Sequence, residues 1–237
     1  MLEIKGFSYS YDKRRNAVDG LTLRVEPGDI YGFIGHNGAG KTTTIRAITG
    51  VLDFREGEIL VGGASVKRDP IACKRAIAYV PDNPDLYDFM TGMQYLDFIC
   101  DVFEVDKRRR EGEIRKYSDA FELTGNLGDL IASYSRGMKQ KLALIGALSH
   151  DPRLMVFDEP FVGLDPKAIH TVKGIMREKC DSGCAVFSST HVLDVAEKLC
   201  DKIGIVRRGE LVADGATGGV IGDKSLEALF LELIADA

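Results

Sequence analysis

A glycine-rich run near the N-terminus is the part of the sequence whose residue types and spacing best fit a chemical task. Residues 35–43, GHNGAGKTT, match the pattern G-x-x-x-x-G-K-[ST]. Apolar residues 30–34 before it predict a buried strand, and residues 43–48 after it predict a helix. Glycines let successive N–H groups point at phosphate oxygens, and the helix N-terminus adds positive potential. The run therefore predicts a nucleoside triphosphate site.

The residues of this loop have separate expected tasks. Lys41 reaches the β- and γ-phosphates, and the Thr42 hydroxyl holds Mg²⁺. The other nucleotide contacts are expected from Gly35, Asn37, Gly38, Ala39, Gly40 and Thr43. Taken alone, the motif indicates a nucleoside triphosphate and does not say which reaction follows.

Two acidic residues end an apolar segment in the second half of the chain. Residues 154–157, LMVF, predict a buried strand, and Asp158 and Glu159 follow directly. The carboxyl ends of strands in an open α/β sheet are where ligands bind. Asp158 is therefore placed to hold Mg²⁺ through its water shell, and Glu159 to polarise an attacking water as a general base.

Composition narrows the class of protein. The chain has 237 residues and a net charge of −5, which argues against a general affinity for nucleic acid. The basic run Lys107–Arg110 predicts a solvated helix end, with contact to anionic lipid as the alternative. Five cysteines without histidines at zinc-ligand spacing indicate free thiols. Residues 1–7 lack a signal-peptide pattern, and no apolar run approaches the ~20 residues of a membrane span.

The order of predicted elements indicates an α/β fold with an insert. Short strands at 2–9, 21–25 and 59–61 suggest a small antiparallel sheet around the strand that precedes the loop. Residues 84–150 change to helical spacing, and α/β alternation returns from residue 154. We expect one domain, in which 1–83 and 151–237 form the nucleotide-binding core and 84–150 a helical subdomain.

Several motifs together resemble one family over nearly the whole chain. Residues 134–140, YSRGMKQ, stand where the ATP-binding subunits of ABC transporters carry their signature motif. Residues 163–166, GLDP, resemble the D-loop of that family, and residues 189–191, STH, resemble its switch-histidine loop. Tyr11 matches the aromatic residue that stacks on adenine. The resemblance implies a RecA-like phosphate-loop NTPase core with an antiparallel β subdomain and a helical insert.

The resemblance also implies how the remaining residues act. Ser135 and the Gly137 N–H would contact the γ-phosphate bound by the partner's Lys41, so that ATP joins two subunits. Asp165 of the D-loop is expected at the same nucleotide. His191 would hydrogen-bond the γ-phosphate and the attacking water beside Glu159. The implied ligands are ATP and Mg²⁺.

Two positions depart from the family pattern. The family has glutamine, which touches Mg²⁺ and the attacking water, where this sequence has Asp82; a carboxylate can also bind Mg²⁺, and Asn83 is the alternative. Arg136 and Met138 replace the usual glycine and glutamine of the signature. This combination resembles the ATPases of ABC-2-like exporters, including Ecs-type and resistance systems.

The function expected from this resemblance is ATP hydrolysis that powers transport by separate membrane subunits. The chain would dimerise with an identical or related ATPase subunit and sit at the cytoplasmic face of the membrane. Residues 84–103, with Tyr87 and Phe89 exposed, would dock the membrane partner; the alternative is that both aromatics are core. Two other functions stay open: a cofactor-assembly ATPase without a membrane partner, and an ATP sensor that scarcely hydrolyses.

Overall fold

Two β-sheets form the framework of the protein. The structure is a computed structural model that describes residues 1–12 and 15–235. The strands of this part of the chain are β1 Leu2–Tyr9, β2 Val18–Val25, β3 Ile30–Ile34, β4 Glu56–Val61, β5 Ala64–Ser65, β6 Ile77–Val80, β7 Leu154–Asp158, β8 Ala185–Thr190, β9 Lys202–Arg207 and β10 Glu210–Ala216.

The larger sheet brings the chemical residues to one edge. Its order is β10-β9-β3-β8-β7-β6, with β9 to β6 parallel and β10 antiparallel at one side. Strands β3, β7 and β8 are buried throughout, as apolar runs in the centre of a parallel sheet should be. The register pairs Ile34 with Thr190 and Asp158 with Ser189. The carboxyl ends of these neighbouring strands therefore meet.

The smaller sheet is separate and fully antiparallel. Its order is β2-β1-β4-β5, and it packs on the same face of the larger sheet as the first helix. The prediction of an antiparallel sheet is confirmed, but its placement around the loop-bearing strand was wrong. Strand β3 instead lies between β8 and β9, because an all-apolar strand is buried best when it is paired and covered on both sides.

The helices occupy both faces of the larger sheet. In the described part of the chain they are α1 Lys41–Ile48, α2 Pro70–Ala76, α3 Gly92–Val102, α4 Lys107–Ala120, α5 Arg136–Leu148, α6 Pro166–Asp181, α7 Leu193–Leu199, α8 Thr217–Ile221 and α9 Leu226–Ala235. None of these helices has the length and apolar character to cross a bilayer. Residues 92–148 thus hold α3, α4 and α5, in agreement with the helical segment expected from the sequence.

The helices of this segment begin at side-chain caps. Thr91 and Gln94 form a reciprocal capping box at α3, and Asp106 accepts from the N–H groups of Arg108 and Arg109 at α4. The basic run Lys107–Arg110 is therefore the first turn of a helix, as predicted. Arg109 pairs with Asp151, which ties this turn to the start of the segment before β7.

A groove separates the helical segment from the core. It encloses about 520 Å³ and is lined on the core side by Val51, Ile71 and Tyr79, and on the helical side by Tyr95, Val102 and Phe103. At its floor the His150 ring stacks on Phe103, with ring centroids 3.7 Å apart and planes 10° apart. His150 Nε2 also donates to the Ile77 carbonyl at 3.1 Å, so one imidazole joins α3, α5 and β6.

Candidate nucleotide-binding site

The glycine-rich loop connects β3 to α1 and has the geometry of an anion cradle. Ala39 N–H donates to the His36 carbonyl at 3.1 Å. In the described residues, the N–H groups of Gly38 and Gly40 have no protein acceptor, nor do those of the first residues of α1. Gly40 has φ +107°, and a Cβ there would lie 2.5 Å from the Ala17 carbonyl oxygen. Only glycine allows this turn, which leaves several donors available to phosphate.

Lys41 lies under the loop with its ammonium group held by backbone carbonyls. Its Nζ donates to the carbonyls of Gly35 at 2.5 Å and His36 at 3.3 Å, and lies 4.0 Å from Glu159 Oε1. The side chain is 7% exposed. Burial lowers the pKa of Lys41, and the nearby carboxylates of Glu159 and Asp158 oppose that shift. A buried cation in a ring of acceptors is suited to phosphate oxygens.

The donors for a magnesium ion come together at the edge of the sheet. Thr42 Oγ1 donates to Asp158 Oδ2 at 3.0 Å, and Ser189 Oγ donates to Asp158 Oδ1 at 2.5 Å. Octahedral Mg²⁺ with oxygens at about 2.0–2.1 Å places neighbouring ligands about 2.9 Å apart. The Thr42–Asp158 separation fits that geometry, so these two residues could hold the ion while Ser189 orients the carboxylate.

Glu159 and His191 form a second pair beside the first. His191 Nδ1 lies 2.9 Å from Glu159 Oε1, and the His191 N–H donates to Glu159 Oε2 at 3.3 Å. Glu159 has φ +51°, an uncommon conformation for a non-glycine residue, which its N–H stabilises by donating to the Ser189 carbonyl at 3.2 Å. This backbone turn directs the carboxylate toward Lys41 and His191. A fixed, partly buried carboxylate can act as a general base.

A cleft of about 430 Å³ contains most of the residues expected from the sequence. Its lining includes Asn37, Gly38, Gly40, Lys41, Thr42, Thr43, Asp82, Asp158 and Glu159. Tyr11 stands at the rim, 61% exposed, with its hydroxyl 3.2 Å from Thr43 Oγ1. Its ring packs against that of Tyr9, with centroids 4.9 Å apart, and the exposed part of the ring is suited to stack on a planar base.

The signature and D-loop residues lie outside this cleft. Ser135 caps α5 by accepting from Met138 N–H at 3.2 Å, and Asp165 caps α6 by accepting from Ala168 N–H at 2.8 Å. Asp165 also pairs with Lys141, which lowers the pKa of its carboxyl. A Cβ on Gly137 would lie 2.7 Å from the Gly163 carbonyl oxygen, so these two loops touch. None of the residues 135–137 and 165 lines the cleft of its own chain.

Sequence reasoning missed three contributors to the site. Ala17 and His36 line the cleft, and Ser189 holds Asp158. Ser189 could have been found from its position at the end of β8, because parallel neighbours place it beside Asp158. His36 carries no such signal; its Nδ1 meets the adjacent Asn37 carbonyl at 2.7 Å.

Comparison with known proteins identifies the family. The family model described as ABC transporter matches residues 18–162, which include the glycine-rich loop, the signature and the acidic pair. The chain belongs to the ABC transporter family. It is therefore an ABC ATPase that binds ATP with Mg²⁺ and hydrolyses it as the nucleotide-binding subunit of a transporter complex.

Relatives of this ABC ATPase match it along most of its length. The ABC-type transporter ATP-binding protein EcsA of Bacillus subtilis (strain 168) is 34% identical over 98% of this chain and 96% of its own. The SkfA peptide export ATP-binding protein SkfE of the same strain is 31% identical over 90% of this chain and 88% of its own. A solved ATP-binding subunit of an ABC transporter has a TM-score of 0.94 at 34% identity and covers 99% of both chains.

These findings confirm the predicted family and fold class. They favour a transporter subunit over a cofactor-assembly ATPase or an ATP sensor that scarcely hydrolyses. They also confirm an α/β phosphate-loop core that carries an antiparallel sheet.

Proposed function

We propose that two copies of this ATPase, or one copy and a close relative, clamp ATP between the cleft of one and the signature helix of the other. The observation that carries the proposal is the separation within one chain between the cleft and the residues Ser135 and Gly137. Ser135 caps the start of α5, and neither residue lines the nucleotide cleft of its own chain. Each cleft already contains the N-terminus of α1, and a facing copy supplies a second helix N-terminus, that of α5, on the opposite side of the phosphates.

Glu159 would act as the general base on the water that attacks the γ-phosphate. His191 orients it through the 2.9 Å contact between Nδ1 and Oε1, and Lys41 neutralises phosphate charge on the other side. Mg²⁺, held by Thr42 and Asp158, would supply charge neutralisation at the phosphates. Asp82, in the loop after β6, lines the same cleft and would be a further carboxylate available to the ion.

The assignment of Glu159 is tested with Glu159→Gln. The amide keeps the size and hydrogen bonding of the side chain but cannot accept a proton at neutral pH. Turnover should fall about 10²–10⁴-fold, while MgATP should convert the variant from monomer to dimer in sedimentation velocity. As a control, Glu197→Gln on α7 removes a carboxylate outside the cleft and should hydrolyse ATP normally. Unchanged turnover of Glu159→Gln would remove this residue from the role, and a variant that stays monomeric would refute the clamp.

We infer that the groove between the core and the helical segment receives an amphipathic helix of an integral membrane subunit. Val51, Ile71 and Val102 line it with side chains 65%, 64% and 57% exposed. Such an accumulation of exposed apolar surface is typical of an interaction site. Tyr95 connects the groove to the aromatic patch of Tyr87, Phe89 and Phe98.

The exposure of Tyr87 and Phe89, at 46% and 75%, agrees with the expectation from the sequence rather than with burial in a core. The structure therefore leaves these rings available to a partner. A docked membrane subunit would hold the ATPase at the cytoplasmic face of the membrane. Since SkfE is a peptide-export protein by name, we propose that transport runs outward.

The docking site is tested by the double variant Tyr87→Ala, Phe89→Ala. ATP hydrolysis by the isolated chain should be unchanged, because neither ring lines the nucleotide cleft. Co-purification of the tagged chain with an integral membrane protein from its own cells should be lost. Leu231→Ala is the matched control, since Leu231 is 60% exposed on α9 outside the groove. Equal recovery of the membrane protein with both variants would refute this docking site.

A further inference from the structure

An ion pair joins the signature helix to the nucleotide cleft of the same chain. Arg136, the first residue of α5, places Nη2 3.4 Å from Asp82 Oδ1. The two side chains are 57% and 51% exposed. Both are among the positions at which this chain departs from the family pattern, together with Met138. Because water surrounds the pair, its strength is small and another charge can replace either partner.

The stem of Arg136 lies beside the D-loop, and its guanidinium end reaches past it to an acceptor. A Cβ added to Gly163 of this loop would lie 3.6 Å from each of the Arg136 atoms Cγ, Cδ and Nε. Gly163 has φ +78°, and Gly137 approaches the Gly163 carbonyl closely. The D-loop therefore holds the start of α5 and presents the guanidinium to whatever anion lies in front of it.

Two anions compete for this guanidinium if the proposed clamp is correct. One is Asp82 of the same chain, which lines the nucleotide cleft. The other is the terminal phosphate of the ATP bound by the facing copy, since Ser135 and Gly137 on either side of Arg136 are aimed at it. A guanidinium binds phosphate in a bidentate manner, and the terminal phosphate carries a higher negative charge than one carboxylate. The phosphate is therefore the stronger of the two acceptors.

We propose that Arg136 is a positioning residue that exchanges Asp82 for the phosphate of the facing site when the dimer closes. In the single chain Arg136 holds the Asp82 carboxylate toward the signature helix. Closure takes Arg136 away and leaves Asp82 without this partner in its own cleft, which Asp158 and Glu159 also line. Nucleotide in one site thereby changes the charge that faces the nucleotide in the other.

The exchange predicts that Asp82 opposes dimerisation only through Arg136. The test is a double-mutant cycle in the Glu159→Gln background, with the dimer association constant in MgATP measured by sedimentation velocity. Asp82→Asn removes the pair that closure must break in each of two copies. An exposed pair of about 0.2–1 kcal/mol, broken twice, corresponds to about two- to thirtyfold in this constant.

The expected result is a difference between two backgrounds. With Arg136 present, Asp82→Asn should raise the association constant. This increase should be about two- to thirtyfold larger than the effect of the same substitution in the Arg136→Gln background. Arg136→Gln alone should weaken the dimer, and Arg136→Lys should restore part of the loss because it keeps the charge. The matched control is Asp88→Asn. Asp88 forms a 2.6 Å pair with Lys139, which is on the same helix as Arg136, and neither residue lines the cleft. That variant should leave the constant unchanged.

Two contrary outcomes are distinguishable. An equal effect of Asp82→Asn in both backgrounds would overturn the exchange and leave the clamp intact. Absence of any MgATP-driven dimer in the Glu159→Gln background would overturn the clamp and the exchange together. Thermal unfolding of each variant at the temperature of the parent would show that neither outcome comes from misfolding.

Discussion

Two surfaces of this ATPase are held in position by different kinds of contact. We call the residues Lys41, Thr42, Asp158 and Ser189 the cleft wall, and Arg136 with its partner Asp82 the signature wall. At the cleft, Asp158 is 5% exposed and Lys41 7%; Asp158 meets Ser189 through the register of β7 and β8, and Lys41 meets the Gly35 carbonyl of the loop. At the signature helix, Arg136 and Asp82 pair in water with more than half of each side chain exposed. The first arrangement is preorganised for phosphate and Mg²⁺. The second can be exchanged at little cost, as suits a surface that must meet a second subunit.

Removal of the buried Lys41 ammonium should have the largest effect on ATP affinity. Lys41→Ala deletes the charge that meets the phosphates, and hydrogen bonds to charged groups contribute about 1.5–3 kcal/mol. ATP affinity measured by calorimetry should therefore fall about 10- to 150-fold. Arg46→Ala, an exposed cation on the same helix, should bind ATP as the parent does. Equal affinities for the two variants would contradict the loop assignment.

The protonation of Lys41 should also make ATP binding depend on pH. Burial lowers the pKa of Lys41, so this lysine loses its proton at a lower pH than an exposed lysine does. Affinity should be complete below the lowered pKa and fall as pH rises through it. In the Lys41→Ala variant that alkaline decrease should be absent.

Loss of the carboxylate's support should have the next largest effect. Ser189→Ala removes the hydroxyl that donates to Asp158 Oδ1 at 2.5 Å and leaves a buried carboxylate with fewer partners. Because supporting groups of metal ligands typically contribute about 10- to 100-fold, the Mg²⁺ concentration for half-maximal ATPase should rise by about that factor. Ser188→Ala is the control: this neighbour on β8 is equally buried and does not contact Asp158. If both variants needed the same Mg²⁺, the buried wall would not depend on Ser189.

The smallest effect is expected for an exposed pair that joins the helical segment to the core. Lys116 on α4 and Glu178 on α6 lie 2.8 Å apart, with side chains 49% and 59% exposed. Glu178→Gln should lower the free energy of unfolding by only about 0.2–1 kcal/mol, and 1 M salt should erase the difference. If urea titration showed that the free energy of unfolding fell by several kcal/mol, exposed ion pairs of this protein would not be weak contacts.

The cleft wall could be predicted from sequence far better than the signature wall. Residues 35–43 and 158–159 carry their chemistry in local order, and the strands and helices that present them follow from apolar runs. The partners Asp82 and Arg136 are 54 positions apart and are brought together by the packing of α5 beside β6. No local pattern encodes that proximity.

Two errors of the sequence analysis have the same origin. The small antiparallel sheet was expected around β3 because it is built from strands near β3 in sequence, yet β3 pairs with β8 and β9, more than 150 residues away. The contribution of Ser189 to the Asp158 site was also missed, because it depends on the register between β7 and β8. Pairing of parallel strands is set by crossover connections, which residue spacing does not reveal.

The imidazole at the floor of the groove has a consequence for behaviour in acid. Burial lowers the pKa of His150, against the opposing influence of the Ile77 carbonyl and Asp151, with Lys179 favouring the same direction as burial. The unfolded chain then takes up this proton more readily than the folded one, so folded stability declines as pH falls below about 6.5. Because the ring contacts both Phe103 at the end of α3 and Ile77 of β6, acidification weakens the contact between the helical segment and the core.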